Sequence, residues 1–289
     1  MRRAQRPRDR RVRSLIALGV TVLVGVSACA SEEPEPAATQ NTVEASPSST
    51  IAVSSAPEST TSEATIVRTE PHVQLVGDST LLAVSRYNTF QALQGFDYVY
   101  DAESCRTLGI PSCGDPPIPP NTVEAIGAAE GRFDDVVVMA GYDEWWTSFP
   151  DSFDEVIDAA RAKGARHIIW LTYPEGVPYK LLTGERADEA FIKNNQTLRD
   201  KVASGQFPEV ALAQWYPHTA TADNWLTDDG IHLTRTGALG AADYISRWVA
   251  HLEGLPCPMP RSPGGSVEPV CSNPDAQPPI ADVHALYDS

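Results

Sequence analysis

Two continuous apolar runs set the strongest limit on how this chain can fold. They are Asp135–Ala140 (DVVVMA) and His167–Tyr173 (HIIWLTY). A strand that is apolar at every position, rather than at alternate positions, is typical of a sheet covered on both faces. Parallel strands of this kind need long crossover connections, which are usually helices. The two runs therefore predict an α/β domain with helices on both faces of a parallel sheet.

The surrounding sequence repeats the same strand–helix alternation. Predicted strands are Val73–Val76, Tyr98–Tyr100 and Val210–Trp215, which bring the sheet to five. Predicted helices are Thr80–Gln94, Thr122–Ala129, Ser152–Ala162 (with Asp151 as N-cap and Gly164 as stop), residues 185–203 and Thr236–Leu252. Ligands of such sheets bind outside the carboxyl ends of the strands, so we look for the site there.

The distribution of charge argues against nucleic acid as a partner. The formal net charge is −16, but residues 1–28 hold seven Arg and one acid, Asp9. The remainder therefore carries 15 basic and 37 acidic residues, a balance of −22. A surface of this sign repels a phosphate backbone.

The amino terminus has the organisation of a secretory signal. Arg2–Arg13 is basic, and Leu15–Val26 is an apolar run too short to span a bilayer comfortably. It ends in Val26-Ser27-Ala28-Cys29, which resembles the lipobox of bacterial lipoproteins. The resemblance implies that residues 1–28 are removed and that Cys29 is lipidated, for example with palmitate. The protein would then sit on the outer face of the cytoplasmic membrane. The alternative is an uncleaved anchor helix with an incidental cysteine.

Residues 29–68 are predicted to form a disordered linker. Residues 30–65 contain no aromatic residue, Lys or Arg and are mostly Ala, Ser, Thr, Pro and Glu. Such a segment cannot bury enough apolar surface to offset the entropy lost on ordering. We therefore expect a tether between the membrane and a globular domain at residues 72–253.

The number of cysteines fits an extracytoplasmic protein. Of the five, Cys29 is assigned to the lipid, which leaves Cys105, Cys113, Cys257 and Cys271. Three pairings are possible, and the local one (Cys105–Cys113 with Cys257–Cys271) closes two short loops. An oxidising compartment would let both bonds form. A zinc site is the competitor, but there is no CxxC spacing and no nearby histidine cluster. The second pair would pin the Pro-rich tail, residues 254–289, to the domain.

Two short motifs carry the candidate chemistry. The first strand runs into Gly77-Asp78-Ser79, which places a serine on a strand-to-helix turn beside free backbone N–H groups. Alone, this turn is equally a good helix N-cap. Near the other end of the domain, Asp229 precedes His232 by three residues. This spacing lets a carboxylate orient an imidazole, whose second nitrogen can take a proton from a serine.

Together, the motifs resemble those of the SGNH (GDSL-type) hydrolase superfamily over residues 72–253. The resemblance implies a flavodoxin-like three-layer α/β/α fold with a five-stranded parallel sheet. It also implies a catalytic triad of Ser79, His232 and Asp229, with the Ser79 amide as an oxyanion donor and no metal or organic cofactor. The third block of the family corresponds to Gly141-Tyr142-Asp143-Glu144, so that Gly141 and Asp143 become candidate oxyanion or substrate residues.

Two departures from the family pattern affect the expected oxyanion hole. Asp143 stands where the family has an asparagine that donates a hydrogen bond, and losing such a donor typically costs about 10²–10³ in rate. Either Asp143 is protonated, or another donor serves, or the enzyme is slow. No glycine of the second block aligns within Asp101–Gly109. A backbone N–H near Ser104–Arg106 could substitute, stiffened by a Cys105–Cys113 bond, and Arg106 is a candidate substrate residue.

Aromatic residues follow several strands, and two asparagines lie nearby. The aromatic residues are Tyr142, Trp145, Trp146, Tyr173, Trp215, Tyr216 and Trp225. Flat rings with polar tips suit sugars and acyl chains, although packing explains most such residues individually. Asn194 and Asn195 could reach this edge, but a solvated helix face explains them more simply.

These features predict a membrane-anchored serine esterase. Its expected substrate is an acyl ester, such as an O-acetyl group, of a cell-envelope glycan or lipid. Two alternatives remain: an acyltransferase that passes the acyl group to a hydroxyl, and a binding protein that kept the triad but lost turnover through Asp143.

Overall fold

The computed structural model describes residues 70–114, 116–178 and 187–288 of the chain. The predicted signal, Cys29 and the linker lie outside the described residues. Within the described ranges, no helix combines the length and the apolar character needed to cross a bilayer.

Five parallel strands form one sheet in the order β2-β1-β3-β4-β5. The strands are β1 (His72–Gly77), β2 (Asp97–Ala102), β3 (Asp135–Met139), β4 (His167–Leu171) and β5 (Val210–Ala213). From β1 the chain crosses to one neighbour, β2, and returns to the other, β3. This reversal opens a crevice at the carboxyl end of β1, where ligands of such sheets bind.

Helices cover both faces of the sheet. They are α1 (Ala83–Arg86), α2 (Thr122–Ala128), α3 (Phe149–Ala162), α4 (Ala187–Ala203), α5 (Trp215–Thr219), α6 (Arg235–Leu252) and α7 (Val283–Tyr287). Helices α2, α3 and α4 pack on one face, and α1, α6 and α7 pack on the other. The predicted three-layer α/β/α architecture with a five-stranded parallel sheet is confirmed.

The two apolar runs are buried because each supplies a core on both sides of the sheet. In β3, Val137 and Met139 join the α1–α6 side, whereas Val136 and Val138 join the α2–α4 side. All four side chains are at most 1% exposed. Fully burying an aliphatic side chain of this size contributes about 1.5–3 kcal/mol, so solvent exposure of either face would be costly.

The helix predicted over Thr80–Gln94 is wrong as a single element. The structure has the short helix α1 and a separate 3-10 helix at Phe90–Ala92. Between them Asn88 adopts a left-handed backbone, with φ of +52°. The Thr89 N–H and hydroxyl both donate to the Val84 carbonyl. These local bonds end the helix, since asparagine tolerates the left-handed region better than most residues do.

Several element boundaries also differ from the prediction. Helix α3 begins at Phe149, so Asp151 lies in its first turn instead of capping it. Pro150 fits this position because the first helical N–H groups have no intrahelical acceptor. Strand β5 ends at Ala213, and the short helix α5, which the sequence did not predict, starts at Trp215. The predicted stop of α3 at Gly164 agrees with its positive φ of +89°.

Both local disulfides are present, which confirms the predicted pairing. Cys105 bonds to Cys113, and Cys257 bonds to Cys271. The carboxy-terminal tail docks on α6, where Ile280, Val283 and Leu286 are buried in the core. The proline-rich tail is therefore part of the domain's packing, and its disulfide closes a loop within the tail that packs against Ala250 of α6.

Candidate active site

The turn that carries Ser79 is held by the buried carboxylate of Asp78. One oxygen of Asp78 accepts from the N–H and the hydroxyl of Thr80, and the other accepts from the Tyr142 N–H. Burial raises the pKa of Asp78 to about 6, although these hydrogen bonds oppose the rise. Asp78 therefore fixes the Ser79 turn to the loop that follows β3. Within the described residues, nothing accepts a hydrogen bond from the Ser79 N–H.

A compact turn before α6 carries the histidine. Asp229 Oδ2 lies 2.7 Å from His232 Nδ1, while Oδ1 accepts from the N–H groups of Ile231 and His232 at 2.9 and 3.0 Å. The Thr227 hydroxyl also donates to Oδ1. Burial would raise the pKa of Asp229, but the hydrogen bonds, above all the one from His232, lower it to about 2. Asp229 is thus ionised at neutral pH and oriented by four donors.

The two turns meet although they lie far apart in the chain. Ser79 Oγ is 3.0 Å from His232 Nε2, across a separation of 153 residues. Because the Nδ1–H group donates a hydrogen bond to Asp229, Nε2 is left to accept a hydrogen bond from the serine hydroxyl. The structure therefore brings the three predicted triad residues together in hydrogen-bonding order.

The loop after β3 places Gly141 and Asp143 beside the triad. Gly141 has a φ of +94°, and a Cβ there would lie 2.8 Å from atoms of Leu108 and Tyr173. Asp143 is partly buried, and its Oδ1 has no hydrogen-bond partner. Burial raises the pKa of Asp143, and the nearby positive charge of His232 lowers it, with a net rise. Asp143 is thus near enough to His232 for their charges to interact, and the roles of Gly141 and Asp143 in binding an oxyanion stay predictions.

Glu144 is a site-building residue that the sequence analysis missed. Its side chain is fully buried and accepts from the Leu108 N–H at 3.0 Å. Its other oxygen accepts from the hydroxyls of Ser148 and Ser152, each at 2.8 Å. Glu144 therefore ties the loop after β2 to the loop after β3. No local signal distinguishes it from a solvated acid, because its partners come from three different segments.

The loop after β2 contains an unexpected backbone conformation at Cys105. Its φ is +69°, in the left-handed region that favours glycine. The disulfide to Cys113 and the hydrogen bond from the Cys113 N–H to the Cys105 carbonyl hold this conformation. Both sulfurs lie within 4.8 Å of the Asp143 carboxylate. In the loop where the resemblance leads us to expect a glycine, Cys105 therefore has the backbone conformation that favours glycine, and its disulfide holds it there.

The prediction that the Arg106 side chain binds substrate is wrong. Arg106 is 1% exposed, and its guanidinium donates to the backbone carbonyls of Pro120 and Asp101 and to the Asp101 carboxylate. A buried guanidinium needs this many acceptors to offset its lost hydration. Arg106 instead holds the loop after β2 against the segment that leads into α2.

The solvated helix face expected for Asn194 and Asn195 is also wrong. Both side chains are buried. Asn194 donates to the Glu144 carbonyl, and Asn195 exchanges two hydrogen bonds with the backbone of Tyr173. Helix α4 therefore secures the ends of β3 and β4, a role that depends on tertiary contacts and not on the helix pattern.

The aromatic residues divide into buried core residues and half-buried residues. Tyr142, Tyr173, Trp215 and Trp225 are buried, which agrees with packing. Trp145, Trp146 and Tyr216 are half-buried, and the Lys193 ammonium lies 3.7 Å from the centre of the Trp146 ring. The half-buried rings are the ones left available to a ligand.

Fold and site together define an α/β protein with a serine–histidine–aspartate triad at the carboxyl edge of its sheet. No protein-family profile matches the chain, and no curated protein matches it.

Solved structures that resemble the chain include SGNH- and GDSL-type proteins. One is a candidate SGNH hydrolase from Slackia heliotrinireducens, with 20% identity, a TM-score of 0.44, and coverage of 60% of this chain and 96% of that one. Another is the C-terminal catalytic domain of the Streptococcus pneumoniae peptidoglycan O-acetyltransferase A, with 17% identity, a TM-score of 0.40, and coverage of 61% and 90%. At these values the likeness adds nothing to the sheet and triad described above.

Proposed function

We propose that the protein is a serine esterase of the SGNH type that transfers an acyl group through Ser79. The observation that carries the proposal is the continuous chain from Ser79 Oγ through His232 to Asp229, at 3.0 and 2.7 Å. A serine hydroxyl is a weak nucleophile until a positioned base accepts its proton. His232, held in the required tautomer by an ionised Asp229, is such a base.

The reaction follows from these contacts. Ser79 Oγ attacks the ester carbonyl carbon while its proton moves to His232 Nε2, and Asp229 stabilises the resulting imidazolium. His232 then protonates the leaving alcohol as the carbon–oxygen bond breaks, which leaves an acyl-serine. Water loses a proton to the same imidazole as it attacks the acyl-serine. The bond between the acyl carbon and Ser79 Oγ then breaks, His232 returns the proton to Oγ, and the carboxylic acid leaves.

The oxyanion formed in each step needs donors at the serine. The Ser79 N–H is free to serve as one, since no described residue accepts from it. Asp143 can serve as a second donor only when it is protonated, because a carboxylate accepts hydrogen bonds and repels an oxyanion. Its raised pKa favours the protonated form. The rate of acyl transfer should therefore depend on the protonation of Asp143.

We place this activity outside the cytoplasm, on a lipid-anchored protein. The basic and apolar leader, the lipobox-like Cys29 and the linker support this placement, as do the two disulfides of the folded domain. A tethered esterase at that surface would act on acyl esters of envelope glycans or lipids. Transfer of the acyl group to a sugar hydroxyl is the same chemistry with a different second nucleophile.

Hydrolysis of p-nitrophenyl acetate by the full chain tests the proposal. We compare the parent with Ser79→Ala and with Ser204→Ala, which removes an exposed hydroxyl whose hydrogen bonds, to the Lys201 carbonyl and from the Gln206 N–H, lie at the carboxyl end of α4. The parent and the Ser204 variant should be equally active, and Ser79→Ala should be inactive. A fluorophosphonate should label the parent on Ser79 alone. If the parent is no faster than Ser79→Ala and is not labelled, the binding-protein alternative holds.

A further inference from the structure

A second cluster of ionisable side chains lies at the amino ends of β3 and β4, the edge opposite Ser79. Asp135 is the first residue of β3, and His167 is the first residue of β4. The two are register partners in the sheet, so their side chains lie side by side. Glu253, the residue that caps the carboxyl end of α6, completes the cluster. Its three donor atoms lie within 4.8 Å of one another.

A single imidazole nitrogen faces two carboxylates in this cluster. His167 Nδ1 lies 2.9 Å from Asp135 Oδ1 and 3.2 Å from Glu253 Oε1. One N–H proton cannot satisfy both oxygens well. Nitrogen and oxygen ligands of zinc bind at about 2.0–2.1 Å, which in a tetrahedral site puts them about 3.3 Å apart. The two observed distances are therefore close to those between the ligands of one metal ion.

The charge at the cluster also favours a divalent cation. Three carboxylates, those of Asp134, Asp135 and Glu253, face one permanent cation, Arg166. Arg166 bonds to Asp134 and to Glu253 Oε2, which leaves Oε1 directed at His167. With a neutral imidazole, the net formal charge is −2.

The buried member of the cluster gives a second, independent observation. The Asp135 side chain is fully buried, and its Oδ2 has no hydrogen-bond partner. A buried carboxylate with an unpaired oxygen is costly and calls for a compensating proton or ion.

We propose that Asp135, His167 and Glu253 form a Zn²⁺ site that joins the amino edge of the sheet to the end of α6. The ligands are His167 Nδ1, the Asp135 carboxylate and Glu253 Oε1, and a water molecule fills the fourth position on the exposed side of His167. Binding displaces the proton on Nδ1: a neutral imidazole then carries its single ring proton on Nε2, whereas an imidazolium keeps the Nε2 proton and releases the other to solvent. The site is structural and independent of the chemistry at Ser79.

Zinc titration of the EDTA-treated full chain tests this proposal by calorimetry and thermal unfolding. We expect one ion per chain and a higher melting temperature with zinc. His167→Gln and Glu253→Gln should each weaken binding at least about tenfold, by analogy with the loss of metal-site residues.

His72→Gln is the matched control. His72 also begins a strand, and its Nδ1 lies 2.9 Å from one carboxylate, Asp97. This variant should bind zinc as the parent does. The proposal is overturned if the parent shows no stoichiometric binding, which would leave an ion-pair network only. It is also overturned if His167→Gln and Glu253→Gln bind as tightly as the parent. If His167→Gln fails to fold, Glu253→Gln, at the end of a helix, decides alone.

Discussion

Replacing Asp143 with asparagine should speed the proposed esterase, and most strongly at alkaline pH. The substitution keeps the size of the side chain and turns an acid into an amide that always donates. In the parent, Asp143 lies beside the Cys105–Cys113 disulfide, with Oδ1 buried and unpaired. Only its protonated form can donate to an oxyanion.

The expected magnitude follows from the value of one oxyanion donor. Loss of such a donor typically lowers the rate by about 10²–10³, equivalent to about 2.7–4 kcal/mol. Burial raises the pKa of Asp143, so its donor form is complete at low pH and is lost as pH rises through that pKa. The parent rate should therefore fall on the alkaline side, whereas the rate of Asp143→Asn should stay level. At high pH the variant should be faster by up to about 10²-fold.

The assay is the pH dependence of kcat/KM for p-nitrophenyl acetate, corrected for spontaneous hydrolysis. Asp158→Asn, which removes an exposed carboxylate on α3, is the control and should follow the parent. If Asp143→Asn is slower than the parent, or if the alkaline limb is unchanged, Asp143 does not act through its protonation at the oxyanion.

Three further predictions concern the triad, the loop after β3 and the aromatic core. Asp229→Asn should lower kcat by about 10⁴ in the same assay, because an amide favours the wrong imidazole tautomer; near-parent activity would contradict the triad. Gly141→Ala should lower the urea midpoint and the activity, since its Cβ would lie 2.8 Å from Leu108 and Tyr173; parent-like values would show that the loop adapts. Burial and a nearby arginine lower the pKa of His218 to about 4, so unfolding by urea should become easier as pH falls from about 6.5 to 4, by at most about 3 kcal/mol; His218→Gln should remove that dependence.

Much of the fold could be predicted because its signals are local. After their first residues, Asp135 and His167, the runs in β3 and β4 are apolar at every position, which is typical of a sheet covered on both faces. Gly164 follows the end of α3, and its positive φ is a conformation that glycine adopts readily. Asp229 and His232 are three residues apart, so one turn suffices to join them. The prediction of one helix over Thr80–Gln94 was wrong because Asn88, with its left-handed backbone, interrupts the segment.

The partners of buried polar groups could not be predicted. Arg106 was predicted to bind substrate, but its guanidinium donates hydrogen bonds to Asp101 and Pro120. Glu144, to which the sequence analysis gave no role, accepts hydrogen bonds from the loop after β2 and from helix α3. The identity of a polar residue does not show whether its side chain faces water or another buried group. That choice depends on which segments the fold brings to it.

By itself, the sequence determined the strands, their burial on both faces, and the pairing of an aspartate with a histidine on one turn, because these depend on neighbours within a few residues. Only the tertiary structure decided that Ser79 Oγ and His232 Nε2 lie 3.0 Å apart. The same is true of the left-handed, disulfide-bonded Cys105 near Asp143. The packing of β1 beside β3 and of α6 against the sheet sets these distances, and no local interaction can fix the separation of atoms 153 residues apart in the chain.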